Sequence, residues 1–433
     1  MMNQEELSAA GASMMALAEE LYPICRSITG DGVRETLRTL AKRIPLEIHE
    51  VPTGTAVFDW EVPEEWNIRE AWIKDPSGRK VVDFAEHNLH VVGYSEGFRG
   101  TLPLAELKTH LHSLPDQPEL IPYRTSYYKR TWGFCMRHRD LEALPDGDYE
   151  VFIDATHTQG SLTYGEYFLP GESDEEVLIS CHGCHPSLAN DNLAGNAVAV
   201  TLAAELAKEP RRLSYRFVFI PGTIGSITWL ALHREAAKKI RHGLVITNAG
   251  DRGMLNYKRT RDGNALVDRA VAQVLGTSGD DFAIRDFHPY GYDERQYGSP
   301  GFNLPVGVLS RSVHGTFPEY HTSADNLDFI APECMADTLR TTMEVLSVIE
   351  NNAVYQNLKP FCEPRLGKYG LYGAGGGQRS GEFSELAMLW VLNQSDGSHD
   401  LLTIAERSGM SFAKILHAAR SLEAAGLLRK EGA

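Results

Sequence analysis

Two histidines and an aspartate stand close together in Cys181-His182-Gly183-Cys184-His185-Pro186-Ser187-Leu188-Ala189-Asn190-Asp191-Asn192, between an apolar run and a stretch with helical spacing. Imidazole nitrogens and carboxylate oxygens gathered at strand ends are the donor set of zinc hydrolases. The segment reads as half of a metal site. The other half comes more than a hundred residues later, in Pro318-Glu319-Tyr320-His321-Thr322-Ser323-Ala324-Asp325, with Asp251 at the end of another apolar run. Residues 181–185 also match the C-x-x-C-H pattern of haem attachment. That chemistry needs export, and the acidic start Met1-Met2-Asn3-Gln4-Glu5-Glu6-Leu7 lacks the basic n-region of a signal peptide.

These groups need strands and helices to hold them. Residues 177–180, 216–220 and 244–246 are short continuous apolar runs, and between them 192–208 and 226–240 carry helical spacing. Such an alternation predicts an α/β fold, a three-layer sheet with helices on both faces, whose ligand sites lie at strand ends. The histidines and aspartates fall at those ends. Residues 5–43 read as helical with a polar break at 27–32, and 46–51 alternate as a strand.

From about 56 the character changes to short β-like pieces, among them 81–82 and 89–92, separated by Pro and Gly and interleaved with Trp and Tyr. The reading is a catalytic domain of residues 1–55 and 160–370 interrupted by a small β-rich domain at 56–159. A helix near 336–350 closes the catalytic part, and Gly373 to Gln378 reads as a flexible linker. Residues 379–433 follow as a winged helix-turn-helix, with helices at 385–392, 401–407 and 411–424, the last capped by Ser411.

Composition narrows the function classes. The chain of 433 residues is 42% hydrophobic and 9% aromatic, which are globular values for two or three domains. Its net charge of −16 disfavours a nucleic-acid binder, since phosphate contact needs clustered Lys and Arg. No apolar run is long enough to span a bilayer, so no membrane association is expected. Six cysteines scattered without a framework pattern point to a reducing cytoplasm.

The order apolar strand, His, short loop, Asp-Asn-x-x-Gly (191–195), helix resembles the zinc aminopeptidase superfamily. His321 followed by Thr322 and, four residues on, Asp325 resembles its late motif, and Asp251 sits where the family places a carboxylate after a strand. With the β insertion, Gly222-Thr223-Ile224-Gly225-Ser226 and the C-terminal winged helix, the likeness runs from about Leu21 to the end. It is to a group of bacterial aminopeptidase-like proteins often found with polysaccharide or secondary-metabolite genes. The resemblance implies one or two zinc ions, with His182 as first ligand and His185 its rival. It makes Asp191 the bridging carboxylate, often followed by a cis peptide bond, with Asp251 a ligand to one ion and His321 to the other.

Two departures bear on activity. The family has a Glu-Glu pair after the strand equivalent to 217–220, one Glu acting as general base, whereas 217–232 holds no acidic residue. Glu294 and Glu319 are the substitutes to consider, because a base must reach the attacking water. Cys184 stands where the family often has an Asp that orients the first His, and it reads either as a soft ligand or as a small buried residue. The expected function is a metal-dependent hydrolase, a zinc exopeptidase or amidase acting on a small peptide or aminoacyl amide. The alternative is a non-catalytic metal-containing protein that binds a peptide or metabolite and signals through its winged helix to a protein partner. A homo-oligomer is the weaker expectation for assembly.

Overall fold

In a computed structural model, residues 2–371 and 385–431 are described. The linker expected at 373–378, and residues 379–384 of the expected winged helix, lie outside them. The chain forms two bodies, one of residues 2–262 and 285–339, the other of 263–284 with the chain from 340 on.

In the first body, helices α1 (Gln4–Leu21) and α2 (Asp31–Ala41) precede strand β1 (Glu47–Pro52). Residues 65–158 then form a four-stranded antiparallel sheet from β2 (Glu65–Lys74), β3 (Lys80–Asp83), β4 (Phe98–Pro103) and β5 (Asp148–Thr158), in the order β3-β2-β5-β4. It has its own apolar core, with Ile73, Leu107, Phe134, Tyr149 and Val151. The segment 89–92, read as a strand, is instead a short 3-10 turn with bridges at its end. The His87 ring accepts the Leu89 N–H at 3.1 Å and closes that turn, which outweighs an apolar run too short to form a ladder.

The main sheet resumes with β6 (Ser161–Leu169), β7 (Glu176–His182), β8 (Ser214–Ile220), β9 (Ile240–Ile246), β10 (Leu255–Lys258) and β11 (Val306–Ser310). Seven of its strands run in the order β1-β6-β8-β7-β9-β11-β10. Strands β8, β7, β9 and β11 are parallel, and β1, β6 and β10 are antiparallel to their neighbours. All seven residues of β7 and of β8 are buried, as the continuous apolar runs demand of strands covered on both faces. From β7 the chain passes through helix α3 (Gly195–Leu206) to β8 on one side, then through helix α4 (Ile224–Leu232) to β9 on the other. The order therefore reverses at the carboxyl end of β7, where open α/β sheets form their crevice. His182 is the last residue of β7.

One charged residue interrupts the apolar β8. Arg216 donates from Nε and Nη2 to Glu176 at 2.6 and 2.9 Å and is paired with Glu166, which also takes the Trp229 Nε1–H at 2.7 Å. Only this paired arrangement makes a buried guanidinium tolerable. The helix expected over 226–240 stops at Leu232. There His233 leaves the helix to stack on Trp229 and to meet the Tyr164 hydroxyl at 2.8 Å.

The second body contains α5 (Leu266–Ser278), the later part of α6 (Pro332–Asn351), and α7 (Glu385–Gln394), α8 (Leu401–Ser408) and α9 (Phe412–Ala424). A three-stranded sheet joins β12 (Val354–Asn357), β13 (Asp396–Asp400) and β14 (Leu428–Lys430). Ser411 occupies the N-cap position of α9, but its side chain makes no capping bond; Asp400 does cap α8, through Thr403 N at 2.7 Å. No helix among the described residues is long and apolar enough to cross a membrane.

Candidate metal centre

The loop after β7 carries the chemistry, and its neighbours fix its path. The peptide bond Asp191–Asn192 is cis. Asp325 accepts the backbone N–H of Asn190 at 2.6 Å and of Asp191 at 3.0 Å on its two oxygens, and its carbonyl takes Ala189 N. Burial pushes the Asp325 carboxyl up to about 8, against the pull of those donors. Asn192 and Asn196 tie the loop to the strands through Ile246 O and His182 O.

Asp191 is wholly buried and lies between imidazoles. Its Oδ1 is 2.8 Å from His182 Nε2 and accepts the Tyr292 hydroxyl at 3.2 Å, while its Oδ2 is 3.1 Å from His321 Nε2. His182, His185 and Asp191 each present a ligand atom within 4.8 Å of the others. The two histidines weighed as rivals thus stand together, their ring centres 4.9 Å apart. Burial holds the His185 imidazole down at about 3, so it is neutral with a lone pair to give. The Asp191 carboxyl lies well below the usual carboxylate range: burial opposes ionisation, but the imidazoles of His185 and His182 and the bond to His321 outweigh it.

Together with His182 and His185, Asp191 forms a donor set that fits a divalent cation. His321 meets the second oxygen of Asp191. Asp251 is buried nearby, but both its oxygens are occupied. Oδ1 takes Ser312 Oγ and Gly253 N at 2.7 Å each, and Oδ2 takes Asn190 Nδ2 at 2.8 Å and Ser312 N at 3.1 Å. It braces the loop through Asn190. Glu294 is fully buried, with Oε1 on Lys258 Nζ at 2.6 Å and Oε2 without a partner. Glu319 is half-buried, and its hydrogen bonds run from its carbonyl to Thr322.

Two tyrosines at the site escaped the sequence reading. Tyr292 stacks on the His182 ring at 4.8 Å and 17°. Tyr123, from the segment between β4 and β5, has its ring 5.0 Å from both His185 and His321, and its N–H donates to the His321 carbonyl at 2.7 Å. Arg26, buried in the loop between α1 and α2, holds the His185 carbonyl from Nε at 3.1 Å. Cys184 is a buried thiol, pushed up to about 12 by burial, and Cys181 points into the core against Gly195 O. Neither sulfur is placed for haem attachment.

Residues 15–352 match the family described as "Domain of unknown function (DUF4910)", and 353–430 match a winged helix-turn-helix. The chain is 51% identical over 422 residues, 98% of its length and 97% of the other's, to a Clostridium acetobutylicum protein. That protein is described as "Putative polysaccharide biosynthesis protein with aminopeptidase-like domain". A crystal structure of a "putative peptidase" from the same organism superposes with a TM-score of 0.94 at 50% identity, over 98% of each chain. A zinc aminopeptidase from Bacillus subtilis shares the fold, with a TM-score of 0.59 at 14% identity over 79% of this chain and 95% of that one. With this sheet order and a winged helix-turn-helix behind it, the chain belongs to the DUF4910 family, a branch of the aminopeptidase-like fold.

Proposed function

We propose that this protein is a zinc-dependent hydrolase that cleaves the amide of an aminoacyl compound or the N-terminal bond of a short peptide. The observation that supports this most is the buried group of His182, His185 and Asp191 at the sheet's switch point, with His321 on the second oxygen of Asp191. A zinc ion held there would supply Lewis acidity, polarising the scissile carbonyl and lowering the pKa of a water.

The residues of the chain do the rest. Asp191, ionised and fixed by Asp325, supplies negative charge, and Tyr292 and Tyr123 wall the imidazoles and limit water. Glu319 and Glu294 are the proposed proton carriers. Glu319 is the preferred candidate, because Glu294 is tied to Lys258 and a carboxylate so paired is a poor base. His182, His185 and Asp191 would hold one zinc ion, and His321, on the second oxygen of Asp191, would help to hold another. In this reading residues 56–159 are an insertion that lends Tyr123 to the site, and 379–433 a module for a protein partner rather than DNA. Arg420 on α9 is spent on Asn351 in the same body.

The test is elemental analysis with release of amino-acid p-nitroanilides and amides, with and without chelator. Bound zinc and chelator-sensitive release are expected, with loss of turnover in Glu319→Gln. A protein that takes up no zinc under any loading refutes the proposal. One specific observation favours a second reading, a metal-containing binder without turnover. Pro221, Gly222 and Thr223, which follow β8 directly, bring no carboxylate to the site. Stoichiometric zinc with no hydrolysis of any substrate would decide for it.

A further inference from the structure

Two buried polar atoms near the metal centre lack hydrogen-bond partners among the described residues, and they sit on either side of one glycine. His182 is fully buried; its Nε2 faces Asp191, but its Nδ1 has no hydrogen-bond partner. Asp293 is also fully buried; its Oδ1 accepts the Ser226 hydroxyl at 2.7 Å, and its Oδ2 has no partner. A Cβ built on Gly222 would lie 3.2 Å from His182 Cβ, 3.7 Å from His182 Cγ and 3.5 Å from Asp293 Oδ2. The imidazole and the carboxylate therefore meet around the space that glycine leaves open.

The preceding residue strengthens the case. Tyr292 covers the face of the same imidazole and reaches Asp191, so consecutive residues 292 and 293 approach His182 on two sides. An unpaired buried carboxylate oxygen and an unpaired buried ring nitrogen each destabilise the fold. Bringing them together removes both penalties. The thiol of Cys184 cannot serve instead, since it lies against His185 Nδ1 and Gly222 O, at 3.7 and 3.9 Å.

We infer that Asp293 is the positioning residue of the metal centre, accepting the Nδ1–H of His182 and so directing the Nε2 lone pair toward the cation. This inference rests on the proposed metal site. It makes Gly222 part of the arrangement, as the residue whose missing side chain lets the two groups approach. A carboxylate in this role fixes the tautomer and raises the basicity of the ligand, which is worth 10–100-fold in metal affinity in comparable sites.

The experiment is zinc affinity of the full chain by competition with a chromophoric chelator, in the wild type, Asp293→Asn, Asp293→Ala, and each with His182→Ala. We expect zinc binding weakened about 10-fold or more by Asp293→Asn and further by Asp293→Ala. In the His182→Ala background the same changes should cost less than about 2-fold, because the effect runs through that ring. Equal losses in both backgrounds, or none in either, overturn the inference. Unfolding of the zinc-free variants separates a folding defect from a positioning one, and the isosteric Asn remains informative if Ala fails to fold. Ring nitrogen shifts of His182 give a readout that needs no zinc. Nδ1 is protonated in the wild type and should lose its carboxylate-bonded signature in Asp293→Ala; an unchanged shift overturns the inference. A wild type that takes up no zinc, with the ring signature intact, would sink the metal reading alone.

Discussion

Asp325 is the residue whose replacement should do most damage per atom. Its carboxylate touches no proposed ligand side chain, yet it holds the backbone of Asn190 and Asp191 by two N–H bonds of 2.6 and 3.0 Å. A buried N–H left without a partner costs about 1–3 kcal/mol. Asp325→Ala strands both donors at once, so a loss of about 3–5 kcal/mol is expected after water reoccupies part of the space. Asp325→Asn keeps one acceptor and turns an amide N–H₂ toward the other donor, for roughly half that loss. Urea unfolding of the zinc-free protein gives the stability order, and zinc competition gives the effect on Asp191. Both should follow Asp, Asn, Ala. If Ala lies within about 0.5 kcal/mol of the wild type, the loop is held by its neighbours and the assignment of Asp325 is wrong.

Arg216→Met leaves Glu166 and Glu176 buried without their shared cation, so urea unfolding should show a loss of about 3–5 kcal/mol, while the triple change that also makes both glutamates apolar should recover much of it. Lys258→Met strands Glu294 in the same way and should lower the unfolding midpoint; Glu294→Gln in that background should restore part of it. His87 is held down at about 4 by burial, below the ordinary histidine value, so the unfolded chain takes up the proton first. Its contribution is present above about pH 6.5 and is lost as pH falls toward 4. Comparing unfolding free energy against pH for the wild type and His87→Asn should show a shallower fall in the variant over that window, and parallel curves would refute it.

Which parts of this were legible depends on the range of the interactions. The strands of residues 177–180 and 216–220 were readable because burial on both faces leaves a continuous apolar run, a purely local signal. His182 followed from that, since the residue ending such a strand meets the crevice. The rivalry with His185 could not be settled by strand parity, because the chain leaves the strand at Gly183. The fold brings both imidazoles to Asp191, with Arg26 drawing in the His185 carbonyl from 159 residues away. Asp251 shows the opposite limit. Its place after an apolar run was visible, but the direction of its carboxylate is set by Ser312, Gly253 and Asn190, two of them about sixty residues distant.

The pair Tyr292 and Asp293 was harder still. It sits in a polar turn with no periodicity, beside Glu294, whose charge drew attention as a base while its neighbour faced the histidine. Parity offers no guide in such a turn, so which of two adjacent buried acids faces the histidine is decided by the partners waiting there. Lys258 takes Glu294, and Ser226 with the gap at Gly222 takes Asp293. The glycine at 222 is informative for this reason: the space that a side chain there would fill is the space through which a residue some seventy positions later approaches the imidazole of His182. A motif that looks incomplete along the chain therefore has to be judged by what fills the space around it.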